Sequence, residues 1–92
     1  VLSNLINLTY LDLSSNNLSG HIPFSFGNLV HLRYLYLDSN KFMGQVPDPQ
    51  LNTLSNLQYL YLSNNLFDGT IPSFLFALPS LYYLDLHNNN FI

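Results

Sequence analysis

The sequence predicts an α/β repeat solenoid of right-handed coils, with a concave parallel β-sheet and short 3-10 turns on the convex side. Three observations carry this. The stretch 57–72 recurs along the chain, so that Leu8, Leu32, Leu57 and Leu81 stand 24, 25 and 24 residues apart. A period of that size marks coils that bury their apolar faces only against one another. Each unit also holds two leucines separated by one residue (Leu11/Leu13, Leu35/Leu37, Leu60/Leu62, Leu84/Leu86), the alternation of a strand with one face buried. Finally, an asparagine follows each strand at a fixed distance, and in the first three units a glycine and an Ile-Pro or Val-Pro pair follow it.

Taken in order, the predicted strands are Tyr10-Leu11-Asp12, Tyr34-Leu35-Tyr36, Tyr59-Leu60-Tyr61 and Tyr83-Leu84-Asp85. Stacked coils bring them about 4.8 Å apart, and the rest of each unit supplies the crossover that parallel strands need. Asn16, Asn40, Asn65 and Asn89 are expected to point inward as a structural ladder, because an amide can serve backbone donors and acceptors in adjacent turns. Gly20, Gly44 and Gly69 mark a turn that needs positive φ or a missing Cβ. The β-branched residues before Pro23, Pro47 and Pro72 favour extended backbone. Segments 24–30 and 73–78 are too short for a full helix and suit single 3-10 turns. In the middle unit, Asp48-Pro49-Gln50-Leu51-Asn52 carries the extra residue and is expected to bulge on the convex side.

The pattern LxxLxLxxNx(L/F)xGx(I/V)P resembles the leucine-rich repeat in its plant extracellular form, over all 92 residues as about four repeats. The resemblance implies a small second sheet beside the first, near the Ile-Pro pairs. Leu2 and Leu5 align with Phe26 and Leu29, so the chain begins part-way through a unit. Capping sequence of the kind that ends such arrays is expected to lie elsewhere in a longer array.

Composition narrows the function. Two basic residues, Arg33 and Lys41, face five aspartates, which speaks against nucleic acid, whose phosphates require clustered Lys and Arg. No cysteine is present. The longest apolar run, Phe74 to Leu78, is far below the roughly 20 residues that span a bilayer, so no direct membrane contact is expected within this segment.

Function must be sought in the outward slots of the strands. The first column is Tyr10, Tyr34, Tyr59 and Tyr83; the second is Asp12, Tyr36, Tyr61 and Asp85; the third is Ser14, Asp38, Ser63 and His87. Stacked aromatics across strands stabilise a sheet, and tyrosine is also a favoured residue of binding surfaces. Both readings stand for Tyr34 and Tyr59, while Tyr36 and Tyr61 form the expected centre of a ligand site flanked by Asp12, Asp38, Asp85 and His87. Asp12 and Asp85 lie about 14 Å apart by strand spacing, beyond the roughly 5–9.5 Å of glycosidase carboxylates, so no catalysis is expected. Asp85 and His87 offer two metal ligands where a site wants at least three, and neither metal nor cofactor is expected. The resemblance implies a receptor-like protein or receptor-kinase ectodomain in signalling or defence, at the extracellular side of the plasma membrane in a single-pass protein, with a peptide or protein ligand and a co-receptor. Two alternatives are a secreted inhibitor of cell-wall-degrading polygalacturonase and a set of purely structural spacer repeats. A basic or hydroxyl-rich peptide suits the acidic rim better than an anionic partner does.

Asn7-Leu8-Thr9 and Asn17-Leu18-Ser19 are acceptor tripeptides for N-glycosylation. Material secreted from a eukaryotic host is expected to lose mass on glycosidase treatment, by a glycan at Asn17 and less completely at Asn7, where the approaching strand crowds the site. Unchanged mass would contradict this.

Overall fold

The computed structural model describes residues 5–92; the alignment of Leu2 with Phe26 lies outside them. Four strands, β1 (Tyr10–Asp12), β3 (Tyr34–Tyr36), β5 (Tyr59–Tyr61) and β7 (Tyr83–Asp85), form one parallel sheet in the order β1-β3-β5-β7. Its register pairs Tyr10 with Tyr34, Tyr34 with Tyr59 and Tyr59 with Tyr83, which is the offset of the sequence repeat itself. Backbone bonding continues past the strand ends: Ser15, Ser39 and Asn64 donate N–H bonds to the carbonyls of Asp38, Ser63 and His87 in the next coil, at 3.1, 2.9 and 3.0 Å.

The inward leucines make the core. Leu32, Leu35, Leu37, Leu57, Leu60 and Leu62 are fully buried, and Phe42 and Phe67 stack inside with ring centroids 6.3 Å apart. Leu8, Leu11 and Leu13 of the first coil, and Leu81, Leu84, Leu86 and Phe91 of the fourth, pack against this cluster but remain partly exposed.

A second parallel sheet of three strands, β2 (Ser19–Gly20), β4 (Lys41–Gln45) and β6 (Leu66–Asp68), lies beside the first. It stands earlier in each coil than the Ile-Pro pairs around which it was expected. Proline has no N–H to give a ladder, so Val46-Pro47 follows β4 as extended chain leading out of it. The prolines precede the convex turns: 3-10 turns occupy Phe24–Asn28 and Ser73–Ala77, preceded by Pro23 and Pro72. Where a bulge was expected in the middle coil there is an ordered helical turn, α1 (Asp48–Leu51). It packs on the Phe24–Asn28 turn and buries Gln50, whose Nε2 donates to the Ile22 carbonyl at 3.1 Å. Thr53 and Asn56 donate to the Gly27 and Val30 carbonyls in the same coil-to-coil direction.

The asparagines join one coil to the next. Asn40 Oδ1 accepts from the backbone N–H groups of Asn16 and Leu18, and its Nδ2 donates to the carbonyls of Leu13, Leu37 and Asp38. Asn65 accepts from Phe42 and donates to Leu37, Leu62 and Ser63; Asn89 accepts from Phe67 and donates to Leu62 and Leu86. Asn16 departs from the expected inward burial. It bonds to Leu13 and Ser14 of its own coil and is exposed, because no described coil precedes it to take the bonds its successors make backward. Each ladder residue follows a left-handed residue, Ser15, Ser39, Asn64 or Asn88, with φ of 56 to 58°, a region that asparagine and other small polar residues enter at modest cost.

Gly44, at φ +82°, has the His21 ring where a Cβ would stand, 2.7 Å from its Cε1. Removing a ladder amide strands several buried backbone groups at once, so Asn65→Ala is expected to cost about 1–3 kcal/mol, whereas Asn16→Ala costs only a fraction of that. Chemical denaturation of the two variants measures the difference, and equal losses would contradict the ladder account.

Candidate functional site

The outward faces of β1, β3, β5 and β7 form the candidate site. Because the strands are in register and side chains at i and i+2 share a face, Tyr34 and Tyr36 stand side by side, as do Tyr59 and Tyr61. The rings then meet across strands. Tyr34 and Tyr59 stack nearly parallel at 4.9 Å, while Tyr36 and Tyr61 meet edge to face at 4.6 Å. Tyr10 touches both Tyr34 and Tyr36 at 5.5 Å, and Tyr83 touches Tyr59 and Tyr61 at 6.4 and 5.1 Å. Six rings therefore close a circuit, with Tyr10 and Tyr83 more exposed and the middle four half-buried against one another.

Tyr82 was not among the expected site residues. It precedes β7, occupies the slot held by Arg33 and Gln58 in earlier coils, and is 80 % exposed; its ring meets Tyr59 at 5.7 Å. All seven tyrosines of the chain thus belong to one aromatic network. The signal that could have found it is the tyrosine doublet at Tyr82-Tyr83, where the other units have one.

The acidic side chains sit where the columns placed them. In the second column Asp12 pairs in register with Tyr36, and Tyr61 with Asp85. Asp12 Oδ1 accepts from the backbone N–H and the hydroxyl of Ser14 at 2.9 and 2.5 Å, and these bonds hold its carboxyl below the usual range. Asp85 Oδ1 lies 2.6 Å from His87 Nδ1 and accepts from the His87 N–H at 3.2 Å. His87 is exposed, Asp38 half-exposed and Ser63 buried, so the third column is an uneven margin. Among the described residues, no three His, Cys, Asp or Glu side chains gather as a metal site would require.

Desolvation by the neighbouring rings is the main cause that raises the phenols of Tyr36 and Tyr61. The nearby phenols and carboxylates add to it, Asp12 at Tyr36 and Asp85 and Asp38 at Tyr61. Both sequon asparagines are exposed; Asn17 sits at φ 57° and Asn7 lies beside Thr9, His31 and Arg33 on the flank of the sheet. No described helix is long and apolar enough to cross a membrane.

Two family models match this chain, one described as leucine rich repeat over residues 1–42 and one as two copies of leucine rich repeats over residues 55–92. The chain belongs to the leucine-rich repeat family. Among solved structures, this leucine-rich-repeat chain is similar to the complex of BIR3 and SERK2 from Arabidopsis thaliana, with 40% identity, a TM-score of 0.91, and coverage of 98% of this chain and 48% of that one. It is similar to the ectodomain of the Arabidopsis receptor kinase HAESA in complex with an N-terminally extended IDA peptide hormone ligand, with 33% identity, a TM-score of 0.87, and coverage of 98% and 15%. A plant ice-binding protein is similar too, with 39% identity, a TM-score of 0.89, and coverage of 98% and 29%. The leucine-rich-repeat chain spans less than half the length of each. No curated protein matches it by sequence. Receptor ectodomains and an ice-binding protein share this scaffold, so function rests on the outward side chains.

Phenols that are harder to ionise in the folded chain leave more protons on the native state than on the unfolded one. Stability from Tyr36 and Tyr61 is therefore full below the ordinary phenol value near 10 and is lost as pH rises through their higher folded values. In an ultraviolet phenolate titration Tyr36 and Tyr61 are expected to give a phase above the ordinary phenol value, and this late phase should vanish in a Tyr36→Phe, Tyr61→Phe double variant. Its persistence there would assign the late phase to other rings.

Proposed function

We propose that this chain is a recognition segment of the ectodomain of a plant cell-surface receptor, and that it takes a peptide or protein ligand on the tyrosine-bearing concave sheet. The observation that carries the reading is the closed circuit of tyrosines on the outward face, with Tyr36 and Tyr61 at 4.6 Å in its middle. Folding requires apolar residues at the inward slots and leaves the outward ones free, and tyrosine supplies large contact area with few rotatable bonds. Residues of this kind dominate binding energies. The kinship with receptor-kinase ectodomains, one of them seen with a peptide hormone, supports the same assignment.

The segment works outside the cell, with anchoring by a single membrane span elsewhere in the receptor, a co-receptor as second partner, and glycans on Asn17 and Asn7. It contributes binding and no chemistry: the carboxylates of Asp12 and Asp85 are separated by two tyrosine-bearing strands, on an open sheet that does not exclude water.

Peptides selected from a random-sequence display library against the chain are the probe. Tyr36→Ala and Tyr61→Ala are each expected to weaken their binding by about fivefold or more, since central aromatic anchors cost over ~1 kcal/mol on truncation. Ser73→Ala, on the convex side, should leave it unchanged. Equal binding by all three variants would move the site off the concave face.

A further inference from the structure

The second column of the concave sheet reads, strand by strand, Asp12, Tyr36, Tyr61, Asp85. It is the one column with a carboxylate at each end and an aromatic pair between. Three strand spacings separate the carboxylates, about 14 Å. An extended peptide rises about 3.3 Å per residue and turns every second side chain to the same face, so its residues i and i+4 stand about 13 Å apart with i+2 midway. We propose that this column binds an extended peptide running across the strands with Lys or Arg at i and i+4 and an apolar or aromatic residue at i+2. The proposal rests on the concave-face reading above and adds the chemistry and spacing of the ligand.

Three features argue for this occupant. Both end carboxylates are oriented in the same way. Their hydrogen bonds among the described residues fall on Oδ1, from Ser14 at one end and His87 at the other. Oδ2 of each is left to accept from a ligand. Charge is complementary as well: three of the five aspartates lie on this face, Asp38 being the third. The two Lys/Arg residues of the chain lie away from the column. Arg33 stands on the sheet's flank beside Asn7 and Thr9, and Lys41 begins β4 of the other sheet. The tyrosines complete the match. Rings next to carboxylates attract Lys or Arg by cation–π contact, and the Tyr36–Tyr61 pair at 4.6 Å offers a central apolar seat for the residue at i+2.

The test uses synthetic peptides titrated into the whole chain and followed by the nuclear magnetic resonance shifts of its tyrosine rings. The probe carries Arg-Gly-Phe-Gly-Arg; one control replaces both arginines by citrulline, which keeps the shape and removes the charge, and another closes the spacing to Arg-Phe-Arg. The probe is expected to bind about tenfold more tightly than the citrulline peptide, from two partly exposed charge contacts, and more tightly than the short-spaced one. Asp12→Asn and Asp85→Asn, which keep an Oδ1 acceptor for Ser14 or His87, should each erase about threefold of that preference without altering the melting of the chain, and added salt should reduce it. Equal binding of probe and citrulline peptide, indifference to both Asp→Asn changes, or no binding of the probe overturns the proposal. If library-selected peptides bind through Tyr36 and Tyr61 yet lack the spaced basic pair, the concave-face reading stands and this inference fails. If the probe binds but ignores Tyr36→Ala and Tyr61→Ala, it sits off the column and this inference fails.

Discussion

Everything in this molecule depends on satisfying the backbone at the turn where each strand leaves the sheet. A solenoid coil has no closed core of its own, so a turn that carries polar groups inward must find partners in the adjacent coil. Asn40, Asn65 and Asn89 do this by accepting from the preceding coil's backbone and donating to carbonyls in both coils. Leucine supplies the larger share of burial, yet burial has no direction. The amide ladder sets the height of one coil above the next, and with it the strand register that lines up the tyrosines. Spacing of the binding face and satisfaction of the interior are thus one constraint seen from two sides.

Much of this was legible in the sequence because the repeat is a literal map of the stacking. Equivalent residues, such as Tyr34 and Tyr59, become register partners, and the inward leucines become the buried ones. What escaped was whatever depends on a residue's place in the array instead of its place in the unit. Asn16 holds the same place in its unit as Asn40, but no described coil stands in front of it, and it is exposed. In the second sheet, β4 begins at Lys41, whose neighbours show no strong alternation; its position is set by the N–H that Phe42 gives to Asn65 of the next coil and by the proline that follows it.

The candidate site was legible to the same degree and for the same reason. Alternation along a three-residue strand fixes which side chains face outward, so Asp12, Tyr36, Tyr61 and Asp85 could be placed in a row. Ring orientation could not, since it depends on how neighbouring phenols crowd each other. Tyr82 lies one residue before β7, where alternation assigns it no outward slot, and joins the network because its ring reaches Tyr59.

The short helix at Asp48–Leu51 has a consequence for how the coils find their places. Near-identical units can stack out of sequence, and misassembly of this sort is a characteristic failure of repeat proteins. One coil differs. The extra residue in its convex segment builds a turn whose Gln50 reaches the Ile22 carbonyl and whose following Thr53 reaches Gly27, contacts that the coil carrying Ser73–Ala77 has no side chains to imitate. If the coil carrying Ser73–Ala77 stacked there instead, the Ile22 and Gly27 carbonyls would lose these side-chain donors. The irregular unit therefore serves as an address within a monotonous text, distinguishing the correct neighbour from an equally leucine-rich stranger.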